Sequence, residues 1–257
     1  THLLDPQLSS LRIRKLIIQQ YARDVLNKET ATANETQGMH EMYIGMIEKE
    51  IHAILRFDAQ LIQNNHQLTY LASEQKIYLN EPLPALNLTV QIKGYIDRMD
   101  EVDGRLRIVD YKTGADKSSF GDWSQLYFPR SSTLHTKAIA QLFLYSEAIV
   151  RLAEDFKKNR EQYPWLQAKH TNIQPALYLL REMCTQSSDF DSSIFLREGR
   201  NTSPTPICNY ADGSIRLRYR GELQQILLQI FSPEIPFTQT KDKYICSYCA
   251  FRAICNR

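Results

Sequence analysis

Two aspartates and a lysine near the middle of the chain have the types and spacing to hydrolyse a phosphodiester. They lie in the stretch from Gly94 to Gly114, GYIDRMDEVDGRLRIVDYKTG. Runs of alternating apolar and polar residues flank Asp103-Gly104 there. That dipeptide favours a two-residue type I′ turn, in which both loop positions need positive φ. With Asp103 and Gly104 as the loop, Val102 faces Arg105, Met99 faces Ile108 and Asp97 faces Asp110. Directly opposed side chains in such a ladder have Cβ atoms roughly 4.5–5.5 Å apart, where like charges repel. A bound divalent cation resolves the conflict, because hard cations such as Mg²⁺ take oxygen ligands. Lys112 is two residues past Asp110 and so points to the same face. Two carboxylates and a lysine together form a metal-plus-lysine set able to activate water against a phosphate ester. The bland alternative is a surface hairpin with scattered charges.

The elements that must carry this hairpin are legible in outline. A helix is predicted over 6–28 and a second over 36–63, with His40 near the start of the second. Strands are predicted over 72–79, carrying Glu74, then over 88–99 and 105–112. Pro82 and Pro84 are expected to break the chain between the first two. Alternation places Ile96 and Val109 on one face of the hairpin, and Met99, Ile108 and the acids on the other. Residues 114–134 form a long polar loop with Trp123, Tyr127, Phe128 and Arg130, and loops of that length are usually functional or mobile. Its aromatics either stack bases or tuck against the domain. A helix over 136–159 brings Gln141 and Tyr145 to one face, four residues apart. Residues 174–181 read as a buried central strand, 184–214 as loop, and 218–231 as a last helix. This division gives an N-terminal helical segment, 1–66, and a domain over 67–257 whose Cys-rich tail is 240–257.

The combined string GYIDRMD and LRIVDYKTG, followed by Gln141-Leu-Phe-Leu-Tyr145, resembles the PD-(D/E)XK nuclease superfamily in its RecB/AddB-like branch. The resemblance implies an α/β restriction-endonuclease-like core, with a central mixed β-sheet and its antiparallel hairpin flanked by helices. It implies Mg²⁺ or Mn²⁺ held by Asp97, Asp110 and the backbone carbonyl of Tyr111. A histidine from a preceding helix is also implied, with His40 as candidate. Gly38 stands two residues before His40, where the family pattern has four, so a ligand lying upstream of Thr1 is the alternative. Glu74 matches an acidic position near the family's metal, or is a solvated edge charge. Lys112 would position or deprotonate the attacking water, and Gln141 and Tyr145 would brace Lys112 or contact the DNA backbone.

The chain ends with Cys246, Cys249 and Cys255 in the spacing C-x₂-C-x₅-C. Three thiolates this close suit an iron–sulfur cluster or zinc; three reduced thiols are the plain alternative. AddB-type and Cas4-like nucleases carry a similar tail with three ligands of a [4Fe–4S] cluster. Their fourth cysteine lies upstream of the nuclease core, and this sequence has no cysteine before Cys184. A chain opening at Thr1 is read as a fragment that lacks it; Cys184 or Cys208 as the fourth ligand is the poorer-fitting alternative.

Net charge is +2, which is not the footprint of a dedicated nucleic-acid binder, although a local basic groove can sit on a near-neutral protein. No run approaches ~18 consecutive apolar residues, so no membrane-spanning helix is expected. No signal peptide opens the chain, and five cysteines with three crowded at one end do not resemble a secreted disulfide framework. No phosphate-binding P-loop is present, so ATP is not hydrolysed here by that route. The expectation is therefore a cytoplasmic, bacterial-type, metal-dependent DNA exonuclease. It would serve a helicase–nuclease in double-strand-break repair, with DNA and a helicase subunit as partners. The alternative is a catalytically silent nuclease-fold module that binds DNA or a partner.

Overall fold

The predicted hairpin forms in the expected register. In the computed structural model, β2 (Leu88–Val102) and β3 (Arg105–Lys112) pair antiparallel, with Val102 opposite Arg105 and Met99 opposite Ile108. Asp103 and Gly104 both have positive φ, 52° and 77°, as a type I′ turn requires. The structure describes residues 15–16, 37–127, 136–167, 172–185, 190–199, 202–236, 238–240 and 243–256. Apart from residues 15–16, which are helical, the helix expected over 6–28 lies outside these, as do Phe128 and Arg130.

Two further strands extend the hairpin into a four-stranded sheet. β1 (Leu68–Leu83) pairs antiparallel with β2 on one side. On the other side β5 (Ile173–Leu179) pairs parallel with β3. The order is β1-β2-β3-β5, so the sheet is mixed, as expected. β1 runs well beyond its predicted end. Pro82 pairs with Thr89 inside the strand, because an edge strand can present a residue without an N–H to its open side. The break comes at Pro84–Leu86, a single 3₁₀ turn closed by Asn87 at φ 48°. A separate three-stranded sheet joins β4 (Ser119–Phe120), β6 (Phe195–Leu196) and β7 (Thr205–Pro206).

Helices cover both faces of the large sheet. α1 (Gln37–Gln63) and the short α4 (Leu180–Thr185) pack on one face, where Ala53 and Met183 meet Val109, Ala176 and Tyr178. α2 (Lys137–Glu154), which the short α3 (Phe156–Asn159) follows, lies on the other, with Leu142, Phe143 and Ile149 against Met99, Ile108 and Leu177. α2 is apolar nearly all round because α5 (Gly213–Phe231) covers its outer side through Tyr219, Leu223 and Leu227; a helix of that pattern is a buried one. The buried charged residue on α2 is Glu147. It is fully buried, bonded to Arg151 (2.7 Å), Arg216 (2.8 Å) and Tyr210 (3.1 Å). These partners hold its carboxylate below the ordinary range despite burial, and they tie α5 to α2.

One expectation about faces is overturned. Ile96 packs in the same cluster as Met99 and Ile108, while Val109 lies on the α1 side. Strict alternation would separate Ile96 from Met99. The phase changes at Asp97: register pairs join Ser73 to Arg98 and Gln75 to Ile96, whereas Glu74 has φ 49° and no partner in the ladder. The two strands kink together there, and both Ile96 and Met99 reach the α2 side.

Candidate active site

The kink places the carboxylates. The pairing of β2 with β3 ends at Arg98–Val109. One residue further, the Asp97 carboxylate accepts the backbone N–H of Tyr111 at 3.0 Å. It thus takes a donor that strand pairing would otherwise occupy, and the hairpin opens where the acids meet. Asp110 is buried, 1% exposed. Its Oδ2 lies 2.6 Å from Nζ of Lys112, and its Oδ1 has no hydrogen-bond partner among the described residues. Burial pushes Asp110 up to about 6, and Asp97 and Asp116 push the same way, while Lys112 pulls against them.

α2 supplies the remaining two groups. Gln141 Oε1 accepts from Lys112 Nζ at 3.5 Å, and its Nε2 donates to the Tyr145 hydroxyl at 2.7 Å. The expected set of Asp97, Asp110, Lys112, Gln141 and Tyr145 is therefore brought together as one chain of contacts. Gly94 makes this possible. A Cβ there would stand 2.5 Å from Cε1 of Tyr145, so only glycine lets the ring lie against β2. The glycine is visible in the sequence string, but its purpose depends on a helix more than forty residues away and is not.

Glu74 occupies the register position across from Asp97, on the neighbouring edge strand, and is exposed. Acids on three adjacent strands, Glu74, Asp97 and Asp110, thus fall in one row at the kink. His40 lies on α1, but its side chain is outside the described residues. His66 is engaged elsewhere, with Nδ1 2.6 Å from Asp103 at the hairpin tip.

Arg98 and Asp100 belong to the same sequence string yet serve the other face. Arg98 pairs with Asp58 of α1 and with Asp100, both at 2.7 Å. Arg107 donates to Asp100 at 2.6 Å and to the Tyr178 hydroxyl at 3.1 Å. Both arginines and Asp100 are buried. This network locks α1 to the sheet behind the candidate site, and no spacing rule announces it, because Asp58 is forty residues away.

The cysteine tail stands apart. Cys246 closes α6 (Lys243–Ser247), and its carbonyl accepts the N–H of Cys249 at 3.1 Å. Cys255 accepts through its carbonyl from Gln239 at 2.9 Å. Among the described residues no three His, Cys, Asp or Glu side chains gather as a metal-binding group, neither the three thiols of the tail nor the three acids of the hairpin row. At the hairpin the donors do suit a divalent cation. A buried carboxylate oxygen without a donor, beside a second carboxylate, is a site whose charge asks for a hard cation.

Comparison with known families agrees with this geometry. The model of the PD-(D/E)XK nuclease superfamily matches residues 8–256, and the chain belongs to that superfamily. No match was found among curated proteins or among solved structures.

Proposed function

We propose that this protein is a metal-dependent deoxyribonuclease whose centre is Asp97, Asp110 and Lys112, with Gln141 and Tyr145 as positioning residues. The observation that carries the proposal is the buried, donor-free Oδ1 of Asp110 beside Asp97 and Lys112. Asp97, Asp110 and the Tyr111 carbonyl would hold Mg²⁺ or Mn²⁺, with Glu74 and His40 as further candidate ligands. The cation, when bound, lowers the pKa of its water and polarises the phosphate. Lys112 has two acceptors holding it, Asp110 and Gln141. Its ammonium is thereby aimed at one place, where it can stabilise charge developing on the phosphate or exchange a proton with the attacking water. The Tyr145 hydroxyl fixes the Gln141 amide so that its oxygen faces Lys112.

The RecB/AddB-like assignment, exonucleolytic action and a helicase partner in double-strand-break repair rest on the sequence string and the tail. The C-x₂-C-x₅-C spacing supports a [4Fe–4S] cluster, which iron and acid-labile sulfide measurement on anaerobically purified protein would test. The deciding experiment for the activity is incubation of linear single- and double-stranded DNA with Mg²⁺, beside Asp110→Ala. Strand cleavage that requires Mg²⁺ and disappears in the variant is expected. Cleavage that survives Asp110→Ala would refute the assigned centre.

A further inference from the structure

Beside the Gln141–Tyr145 pair lies a groove of about 520 Å³, within the roughly 300–1,000 Å³ usual for small-molecule sites. Gln141 and Tyr145 form one wall, so its occupant must adjoin whatever lies against Lys112 and Asp110. Leu126, Tyr127, Ala140 and Leu144 give an apolar lining, and Lys93 and Lys137 add two cations. Both lysines are exposed. They come from different elements, β2 and the first residue of α2.

Tyr127 is a fixed platform. Its hydroxyl lies 2.5 Å from that of Tyr219, which is fully buried and donates to the Ala140 carbonyl at 3.2 Å. The phenol held in this way leaves the half-buried ring against the groove at no further ordering cost. Apolar and aromatic surface with cations beside it is the surface on which proteins bind unpaired nucleotides: base faces stack, and lysines meet the backbone. In a duplex the base faces are covered by their neighbours, and only an unpaired nucleotide can offer one to such a lining.

We infer that this groove takes the unpaired nucleotide next to the scissile phosphate, with its base against Tyr127 and Leu144 and its backbone at Lys93 and Lys137. The protein then selects single-stranded or frayed DNA over blunt duplex. The inference rests on the nuclease reading for its substrate, and its test separates the two.

Binding is measured on the full chain, without turnover, by fluorescence anisotropy in chelator. The probes are a labelled oligo-dT of about 12 nucleotides, within the span of single-strand sites, and a blunt hairpin duplex. The single strand is expected to bind roughly ten-fold tighter, and Leu144→Glu to remove roughly ten-fold of that affinity, the scale of one stacked base. The double variant Lys93→Gln, Lys137→Gln is expected to lower the salt slope of log affinity by about 1.4, two phosphate contacts at about 0.7 each. Thermal melts verify folding; because both lysines are exposed, the double variant serves if Leu144→Glu does not fold. Equal binding of strand and duplex, or strand binding unchanged in the folded variants, would overturn the groove. Variant-sensitive strand binding without Mg²⁺-dependent cleavage would leave the groove standing and defeat the nuclease reading. Asp110-dependent cleavage with variant-insensitive binding would do the reverse.

Discussion

Gly94→Ala is a one-carbon test of how the site is held. The new Cβ would lie 2.5 Å from Cε1 of Tyr145, where ordinary contact begins at 3.4 Å, so the ring must retreat by about 0.9 Å. A retreat of that size along the Gln141–Tyr145 bond takes it from 2.7 Å to about 3.6 Å, beyond hydrogen-bond range. Gln141 is then no longer fixed against Lys112. Misplacement of about 1 Å at a reacting centre costs on the order of 100-fold, and that loss is expected in kcat/KM on linear DNA with Mg²⁺. Overpacking costs about 1–3 kcal/mol, so a modest fall in urea midpoint should accompany it, with the protein still folded. The control is the same substitution in a Tyr145→Ala background. With the ring gone, adding the methyl should cost little more, giving a strongly non-additive cycle. Equal costs in both backgrounds, or wild-type activity in Gly94→Ala, would refute the claim that Gly94 exists to admit Tyr145.

Other perturbations separate charge from scaffold. Asp110 is raised from 3.8 to about 6, so the folded state holds its proton more tightly than the unfolded chain does. Its stabilising contribution is therefore full below about pH 4 and lost as pH rises through about 6, an effect of about 3 kcal/mol. In chelator at pH 8, Asp110→Asn should accordingly unfold at higher urea than wild type while lacking cleavage activity, and the gap should close below pH 4. Lys112→Met removes the cation that favours the Asp110 carboxylate. It should move the Asp110 titration further up, followed by carboxyl NMR, and lower kcat by roughly 10²–10⁴-fold. Arg98→Ala takes the guanidinium away from Asp58 and buried Asp100, leaving them the Tyr178 hydroxyl and Arg107 respectively, and should cost about 1.5–3 kcal/mol. Loss of activity there should track loss of folded protein in a urea titration, with kcat per folded molecule unchanged.

What could be read from the sequence follows from how local its cause is. The turn at Asp103-Gly104 and the strand register are set by neighbours in the chain, and both stand as expected. The Gln141–Tyr145 spacing is a property of one helix, and their hydrogen bond forms. Alternation failed at Ile96 because the change of phase is made between strands, where Glu74 leaves the ladder and Asp97 takes the Tyr111 N–H. That failure sits at the candidate site itself, as expected where function competes with regular pairing. The same kink accounts for the division of labour within one short string. Asp97 lies near Asp110 and Tyr145 of α2, while Arg98 and Asp100 face α1 and close a buried charge network with Asp58. Without a change of phase, one alternating strand could not carry Ile96, Asp97 and Met99 to the side of α2. The opened hairpin thus costs a regular ladder pair and gains a water-accessible acid beside a buried one, and the network behind it keeps the opened strands from moving apart.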